Sequence, residues 1–159
     1  MSLAAEVFAA AAAKGCSLAV AESLTGGAVI DALVGVPGAS TVLRGGIVAY
    51  ATDLKHRLLD VPAGLLAERG AVDPDVAEAM ALGALERTGA RVAVATTGVA
   101  GPEPQDGKPV GLVYLGVAGT TPAPWVDSAE FRFAGDRAAV RAQAVEAALR
   151  ALLAGIERA

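Results

Sequence analysis

Ala21-Glu22-Ser23-Leu24-Thr25-Gly26-Gly27 follows a short apolar run, Ser17-Leu18-Ala19-Val20, and precedes Ala28-Val29-Ile30-Asp31-Ala32-Leu33. This order predicts a strand that ends at Glu22, a tight turn carrying Ser23, and a helix opening near Gly26. Adjacent glycines let a backbone approach a ligand closely, and the first N–H groups of a helix are free to hold negative charge. A serine hydroxyl beside such donors has the setting of a nucleophile with its oxyanion site. The same residues also suit a simpler role, because serine is a favoured helix N-cap.

Outward from this turn, strands and helices alternate. Ser2 is placed to cap a first helix with Leu3, Val7 and Ala10 or Ala11 on one face, closed by Lys14 and Gly15. The helix after Ser23 is expected to end near Val34, at Gly35-Val36-Pro37-Gly38. Residues 41–50 have strand character, with Gly45-Gly46 marking a bulge or a close approach. Short helices are expected over 52–59 and 63–69. Asp73-Pro74-Asp75 is a strong start for a longer helix running to Thr88, with a cap, a proline at the first position and an acid in the first turn. Residues 91–97 suit a buried strand. Segment 98–109 holds three prolines and three glycines and is expected to be a loop. Two strands over 110–119 and 125–133 form a hairpin, and a long helix begins at Asp136. The fold class that follows is α/β, a three-layer α/β/α sandwich on a mixed sheet, as one domain over residues 1–159.

Composition narrows the function. With 54% hydrophobic and 19% charged residues, the chain has enough apolar material for a core covering both sheet faces. Only 4% are aromatic, so alanine, valine and leucine must fill most of that core. A net charge of −4, with no basic stripe, argues against nucleic acid as a partner. The lone Cys16 forms no intrachain disulfide and is expected to be a small core residue, while the lone His56, between Lys55 and Arg57, is expected to be solvated. Neither a zinc site nor a triad requiring a second histidine can be assembled, and no metal or cofactor is expected. No signal peptide or membrane-length apolar run is evident, so a soluble cytoplasmic protein without a membrane partner is expected.

Ligands of α/β sheets gather beyond strand C-termini, which singles out the Ser23 turn, the segment after Tyr50, and Thr96-Thr97-Gly98-Val99-Ala100-Gly101-Pro102. In the last helix, Val145, Leu149, Leu152 and Ile156 share a face, and stepping back by fours reaches Arg141 and Arg137. Arginines at a helix N-terminus oppose the macrodipole, which points either to an anionic partner or to an internal salt bridge, for example with Glu22. A serine nucleophile needs a base. Beside His56 there are only Lys14, Lys55 and Lys108. Lys55 within Lys55-His56-Arg57 fits a solvated surface; buried near Ser23, its pKa would fall and it would serve as a base.

The motifs Ala21-Glu22-Ser23-Leu24-Thr25-Gly26-Gly27, Tyr50 through Lys55, Ala95-Thr96-Thr97-Gly98-Val99-Ala100-Gly101-Pro102, Lys108-Pro109-Val110-Gly111 and Gly135-Asp136-Arg137 together resemble the CinA C-terminal family. The resemblance runs in order from about Val7 to the last helix. Its characterised members are nicotinamide-nucleotide amidases. The resemblance therefore implies hydrolysis of nicotinamide mononucleotide to nicotinic acid mononucleotide and ammonia, in pyridine nucleotide salvage. It implies Ser23 as nucleophile, Lys55 as its partner, and Tyr50, Thr97 and Arg137 as further active-site positions. The alanine-rich helices and the family together lead to the expectation of a homodimer. Three departures stand out: Leu24 where the family usually has cysteine, Asp73 where the cap is usually serine, and a loop Glu103-Pro104-Gln105-Asp106 without the usual extra glycines and threonine. The N-terminal domain fused to many relatives is absent from this sequence, so its pyrophosphatase activity is not expected.

The expected chemistry is that of a Ser-Lys amidohydrolase. Neutral Lys55 takes the Ser23 proton, Tyr50 relays or orients a proton, and backbone N–H groups around Thr25, Gly26 and Gly27 hold the oxyanion. Arg137 with Thr97 and Gly98 would hold the ribose phosphate. The alternatives are a non-catalytic pyridine-nucleotide-binding module and a phosphoryl-transfer enzyme; the latter lacks a Gly-Lys-Ser/Thr phosphate loop.

Overall fold

Side-chain size alternates along the two central strands, and this sets the layers. Leu18, Val20, Val92 and Val94 point to one face, and Ala19, Ala21, Ala93 and Ala95 to the other. The computed structural model describes all residues, 1–159. Its elements run α1 (Leu3–Lys14), β1 (Leu18–Glu22), α2 (Ala28–Val34), a 3₁₀ turn (Ala39–Thr41), β2 (Leu43–Val48), α3 (Thr52–Leu59), α4 (Ala63–Arg69), α5 (Pro74–Thr88), β3 (Val92–Gly98), β4 (Leu112–Gly119), β5 (Trp125–Arg132) and α6 (Arg137–Arg158). The five strands form one mixed sheet in the order β2-β1-β3-β4-β5. Strand β1 runs parallel to both β2 and β3, while β3–β4 and β4–β5 are antiparallel. The chain is thus a three-layer α/β sandwich on a mixed sheet, as its pattern predicts.

Helices α1, α2 and α6 cover the valine–leucine face, where Val7, Val29, Val140 and Leu152 are fully buried. Leu59 of α3, Leu66 of α4 and Met80 of α5 cover the alanine face. Small side chains there let backbones meet. A Cβ on Gly83 of α5 would collide with the Leu59 carbonyl, and one on Gly116 of β4 would collide with the Ala77 carbonyl. These close approaches offset the small buried area of each alanine.

Predicted helix starts hold. Ser2 accepts from Ala5 N, Asp73 from Asp75 N and Val76 N, and Asp136 from Ala139 N. Strand β2 is shorter than the 41–50 expected. A 3₁₀ turn precedes it, and after Val48 the Ala49 N–H still donates to the Glu22 carbonyl before the chain turns away. Both roles considered for Gly45-Gly46 occur. The β1–β2 register shifts between Leu18 and Ala19, whose partners are Leu43 and Gly45, and a Cβ on Gly46 would lie 2.8 Å from Val20 Cγ2. Helix α1 ends at Lys14 with Gly15 as its left-handed cap, as expected, and the Lys14 ammonium reaches across to Glu157 O and Ala159 O at the end of α6. Cys16 is buried, as expected, and burial raises its thiol pKa. No helix is long and apolar enough to cross a membrane.

One consequence of this topology positions the site. From β1 the chain passes through α2 to β2 on one side, and from β2 through α3, α4 and α5 to β3 on the other. Strand order therefore diverges at the C-terminal ends of β1 and β3, where open sheets form a crevice.

Candidate active site

Seven polar or charged residues are buried: Glu22, Ser23, Thr25, Lys55, Asp73, Thr96 and Thr97. Asp73 caps α5; the other six converge at the C-terminal ends of β1 and β3, in the turn after β1, and on α3. A buried polar group needs partners, so such a concentration is expensive unless function requires it. Ser23, Tyr50, Thr97, Gly98 and Arg137 all line one cavity of about 410 Å³. The three loops singled out by sequence thus meet.

Ser23 caps no helix. The N-cap of α2 is Gly27, at φ 105°, a backbone conformation that favours glycine. The Ser23 N–H instead donates to the Thr96 carbonyl (3.0 Å), with a longer approach to Thr96 Oγ1 (3.3 Å), which extends the β1–β3 pairing by one residue. Its Oγ lies 2.9 Å from Lys55 Nζ. The N-capping alternative for Ser23 is therefore not what the fold uses.

Lys55 is 1% exposed, which overturns the solvated-surface reading of the Lys55-His56-Arg57 run. The helical turn explains the difference. Lys55 and Leu59, four residues apart, form the buried face of α3, while His56 and Arg57 point outward. His56 is exposed as expected, with Nδ1 donating to the Val61 carbonyl. Besides Ser23, Nζ contacts the carbonyls of Ala49 (2.8 Å) and Tyr50 (3.2 Å), and it forms no ion pair. Burial without a counter-ion lowers its pKa to about 8. A neutral amine has two N–H donors and one lone pair. Two carbonyls and one hydroxyl oxygen give the ammonium three acceptors, and of these only the Ser23 hydroxyl can reverse and donate once the amine is neutral.

Of the two alternatives for the arginines, the internal salt bridge does not form. Glu22 is not their partner: its carboxylate accepts from Val29 N (2.9 Å) and Ile30 N (3.1 Å), capping α2. Arg137 Nη1 donates to the Gly101 carbonyl (2.6 Å) and Nη2 to the Tyr50 hydroxyl (3.1 Å), so its charge has no carboxylate partner. Tyr50, 59% exposed, keeps its own hydroxyl proton free for a bound molecule. Arg141 donates from Nε to the Leu24 carbonyl (2.9 Å) and from Nη2 to the Thr25 carbonyl (3.1 Å).

Not every expected residue reaches the cavity. Thr25, Gly26 and Gly27 are absent from its lining. Thr25 is fully buried with its hydroxyl on Thr96 Oγ1 (2.8 Å), the Gly26 N–H donates to the Ser23 carbonyl (3.1 Å), and a Cβ on Gly27 would face Val48. The reason is the later helix start, which leaves 23–27 as a turn. Within it, Leu24 lines the cavity, and its N–H has no acceptor in the chain. Thr97 lines the cavity, but its hydroxyl donates to the Ala71 carbonyl at 2.6 Å. Sequence reasoning missed the segment 71–72 as a wall and Thr96 as the brace of Ser23. The remaining lysine, Lys108, ties the proline-rich loop to this wall through the Val72 carbonyl (3.1 Å). Glu103 and Gln105 of that loop add polar groups to the lining. No three His, Cys, Asp or Glu side chains are grouped to hold a metal ion.

Known proteins resemble this chain over most of its length. A CinA-like protein of Frankia casuarinae is 49% identical over 146 residues, covering 90% of this chain and 33% of that protein. A CinA-like protein of Geobacter sulfurreducens is 48% identical over 129 residues, covering 80% and 30%. The chain spans about a third of the length of these relatives. Among solved structures, a competence-damaged protein (CinA) superfamily protein of Klebsiella pneumoniae superposes with TM-score 0.92 at 34% identity, over 99% of this chain and 97% of that one. A competence/damage-inducible protein of Agrobacterium tumefaciens gives 0.91 at 38%, over 96% and 92%. The model of the CinA C-terminal domain matches residues 1–156, and the chain belongs to that family.

Proposed function

We propose that the protein is a Ser-Lys amidohydrolase that deamidates nicotinamide mononucleotide. The observation that carries this reading is the buried, unpaired Lys55 Nζ at 2.9 Å from Ser23 Oγ, with its pKa lowered to about 8. No carboxylate fixes the ammonium, and its hydroxyl partner is one that can turn from acceptor to donor when Lys55 is neutral.

The chemistry follows from the contacts. Neutral Lys55 takes the proton of Ser23 Oγ as that oxygen bonds to the carboxamide carbon. The carbonyl oxygen gains the negative charge and is met by the Leu24 N–H. The tetrahedral species collapses, the C–N bond breaks, and the proton held by Lys55 passes to the nitrogen, which leaves as ammonia. Tyr50, whose hydroxyl accepts from Arg137 and which lines the same cavity as Ser23, relays that proton on this reading. Water then gives a proton to Lys55 and attacks the ester. The carboxylate departs and Ser23 regains its proton. The unpaired guanidinium of Arg137 supplies charge for an anionic substrate such as a ribose phosphate.

The test is ammonia release from nicotinamide mononucleotide by wild type and Ser23→Ala side by side. Release by wild type alone is expected. Equal release by both would remove Ser23 from the reaction, and no release by either would remove this substrate.

A further inference from the structure

Arg141 is the buried-side cation that the mechanism above leaves unused. It projects from the second turn of α6 and ends on the turn that carries the nucleophile, forking Nε to the Leu24 carbonyl and Nη2 to the Thr25 carbonyl. No carboxylate lies within ion-pair distance of it. A guanidinium given to two successive backbone carbonyls is an unusual expenditure of a charge near a catalytic centre. Such contacts are charge-assisted and stronger than neutral ones.

Peptide geometry says what this grip does. In a trans peptide the C=O and N–H point in opposite directions. With the Leu24 and Thr25 carbonyls pulled toward α6, the N–H groups of the same two peptides, Thr25 N and Gly26 N, point the other way. Gly26 N closes the turn on the Ser23 carbonyl (3.1 Å). That bond aims the Ser23 carbonyl inward and so turns the Leu24 N–H of the same peptide outward, where Leu24 lines the cavity and no acceptor in the chain takes its proton. The Leu24 N–H belongs to the Ser23–Leu24 peptide, which Arg141 does not touch, so the fork acts on it through the geometry of the turn.

We propose that Arg141 is a positioning residue whose two-carbonyl fork holds the 23–27 turn so that the Leu24 N–H serves as an oxyanion donor beside Ser23. This rests on the amidohydrolase reading of the site but not on the identity of the amide. Arg141 touches neither substrate nor nucleophile; it acts through the backbone between them. Lysine cannot reproduce it, because an ammonium is a point charge without a planar fork.

The test compares wild type, Arg141→Met and Arg141→Lys by two readouts. One is kcat and KM for ammonia release from nicotinamide mononucleotide. The other is the rate at which a small alkyl fluorophosphonate phosphorylates Ser23, with fluoride leaving, followed by intact mass. The second needs the same oxyanion donor but no particular substrate. Arg141→Met is expected to lower kcat and the labelling rate by about 10²-fold, the scale of a small misplacement at a reacting centre. KM stays within about twofold, and the midpoint near pH 8 in the pH profile stays put. Guanidinium ion added to Arg141→Met restores part of both rates. Arg141→Lys keeps the stem and charge and covers the case in which the methionine variant does not fold; it is expected to remain slow by both readouts. Wild-type kcat and labelling in either variant would overturn the proposal, as would a loss confined to KM. Should wild type label at Ser23 and release no ammonia, the substrate falls while a slowed labelling in the variants still supports the role of Arg141.

Discussion

Replacing Lys55 by methionine tests whether the amine is held neutral-prone by its burial. In the folded chain Lys55 is 1% exposed, has no carboxylate, and has its pKa lowered from 10.5 to about 8. In the unfolded chain it titrates at its ordinary value. Between pH 8 and 10.5 the unfolded state therefore binds one more proton than the folded state, and stability rises with pH by about 1.4 kcal/mol per unit. Integrated over that window, the linkage amounts to about 3 kcal/mol. Below pH 8 both states are protonated and the dependence vanishes; above 10.5 both are neutral and it vanishes again.

Methionine fills much of the same volume and does not titrate. It also leaves the Ala49 and Tyr50 carbonyls without the donor they have now, at a cost of about 1–3 kcal/mol. That cost is independent of pH, so it cancels in the slope. The assay is urea unfolding of both proteins at steps from pH 7 to 10.5. Every other titrating group is common to the pair and drops out of the difference. Wild type is expected to gain on Lys55→Met across the window, with the two curves converging in slope below pH 8. Parallel curves throughout would mean that the lysine keeps an ordinary pKa, and the general-base argument would fail with it. The same value fixes the activity profile: at pH 7 roughly one-tenth of the enzyme holds the neutral amine. Hence kcat/KM is expected to climb tenfold per pH unit and level off above about pH 8, and a flat profile from pH 6 to 9 would refute it.

Other perturbations reach the site through its supports. Gly83→Ala would drive a Cβ into the Leu59 carbonyl of α3, at about 1–3 kcal/mol, and by shifting that helix should lower kcat; Gly64→Ala in α4, with open space around it, should leave both unchanged or slightly raise stability, by thermal unfolding and turnover. Glu22→Gln would set an amide NH₂ or a single carbonyl oxygen against the Val29 and Ile30 N–H groups, costing about 1–3 kcal/mol in urea unfolding, and unchanged stability would show that the cap is dispensable. Arg137→Ala should raise KM for a phosphate-bearing substrate by roughly tenfold or more while sparing the fold, and an unchanged KM would take Arg137 out of substrate binding.

Legibility in the sequence followed the range of the forces involved. Caps and breakers are local, and Ser2, Asp73, Asp136 and Gly89 ended or began helices where their chemistry predicts. Strand ends slipped where a distant partner decided them. Strand β4 begins at Leu112 instead of 110, after Gly111, which at φ 91° packs against the backbone of Phe133 just past the end of β5. The helix after Ser23 began later than its glycines suggested, since Glu22 caps it with a side chain reaching seven and eight residues ahead. With the start of α2 displaced, Thr25, Gly26 and Gly27 lie outside the cavity lining and Leu24 lies within it.

The two basic residues that matter most were open in the sequence for the same reason. Whether Lys55 is a base or a surface charge depends on what lies over it, and its partners are Ser23 Oγ and the Ala49 and Tyr50 carbonyls, none of them in its own helix. The one local clue was Leu59, a helical turn on, which puts Lys55 on the buried face and its neighbours His56 and Arg57 off it. Arg141 was open because a carbonyl is invisible to residue-type reasoning: sequence names carboxylates as partners for arginine, and the fold offered two peptide oxygens instead. Both cases share one physical logic. On the amidohydrolase reading proposed above, a cation kept near the serine without a carboxylate retains its charge, or its ability to lose it, for use in the reaction. On that reading the desolvated Lys55 gives up its proton more readily, and Arg141, turned onto the Leu24 and Thr25 carbonyls, holds the turn that carries Ser23.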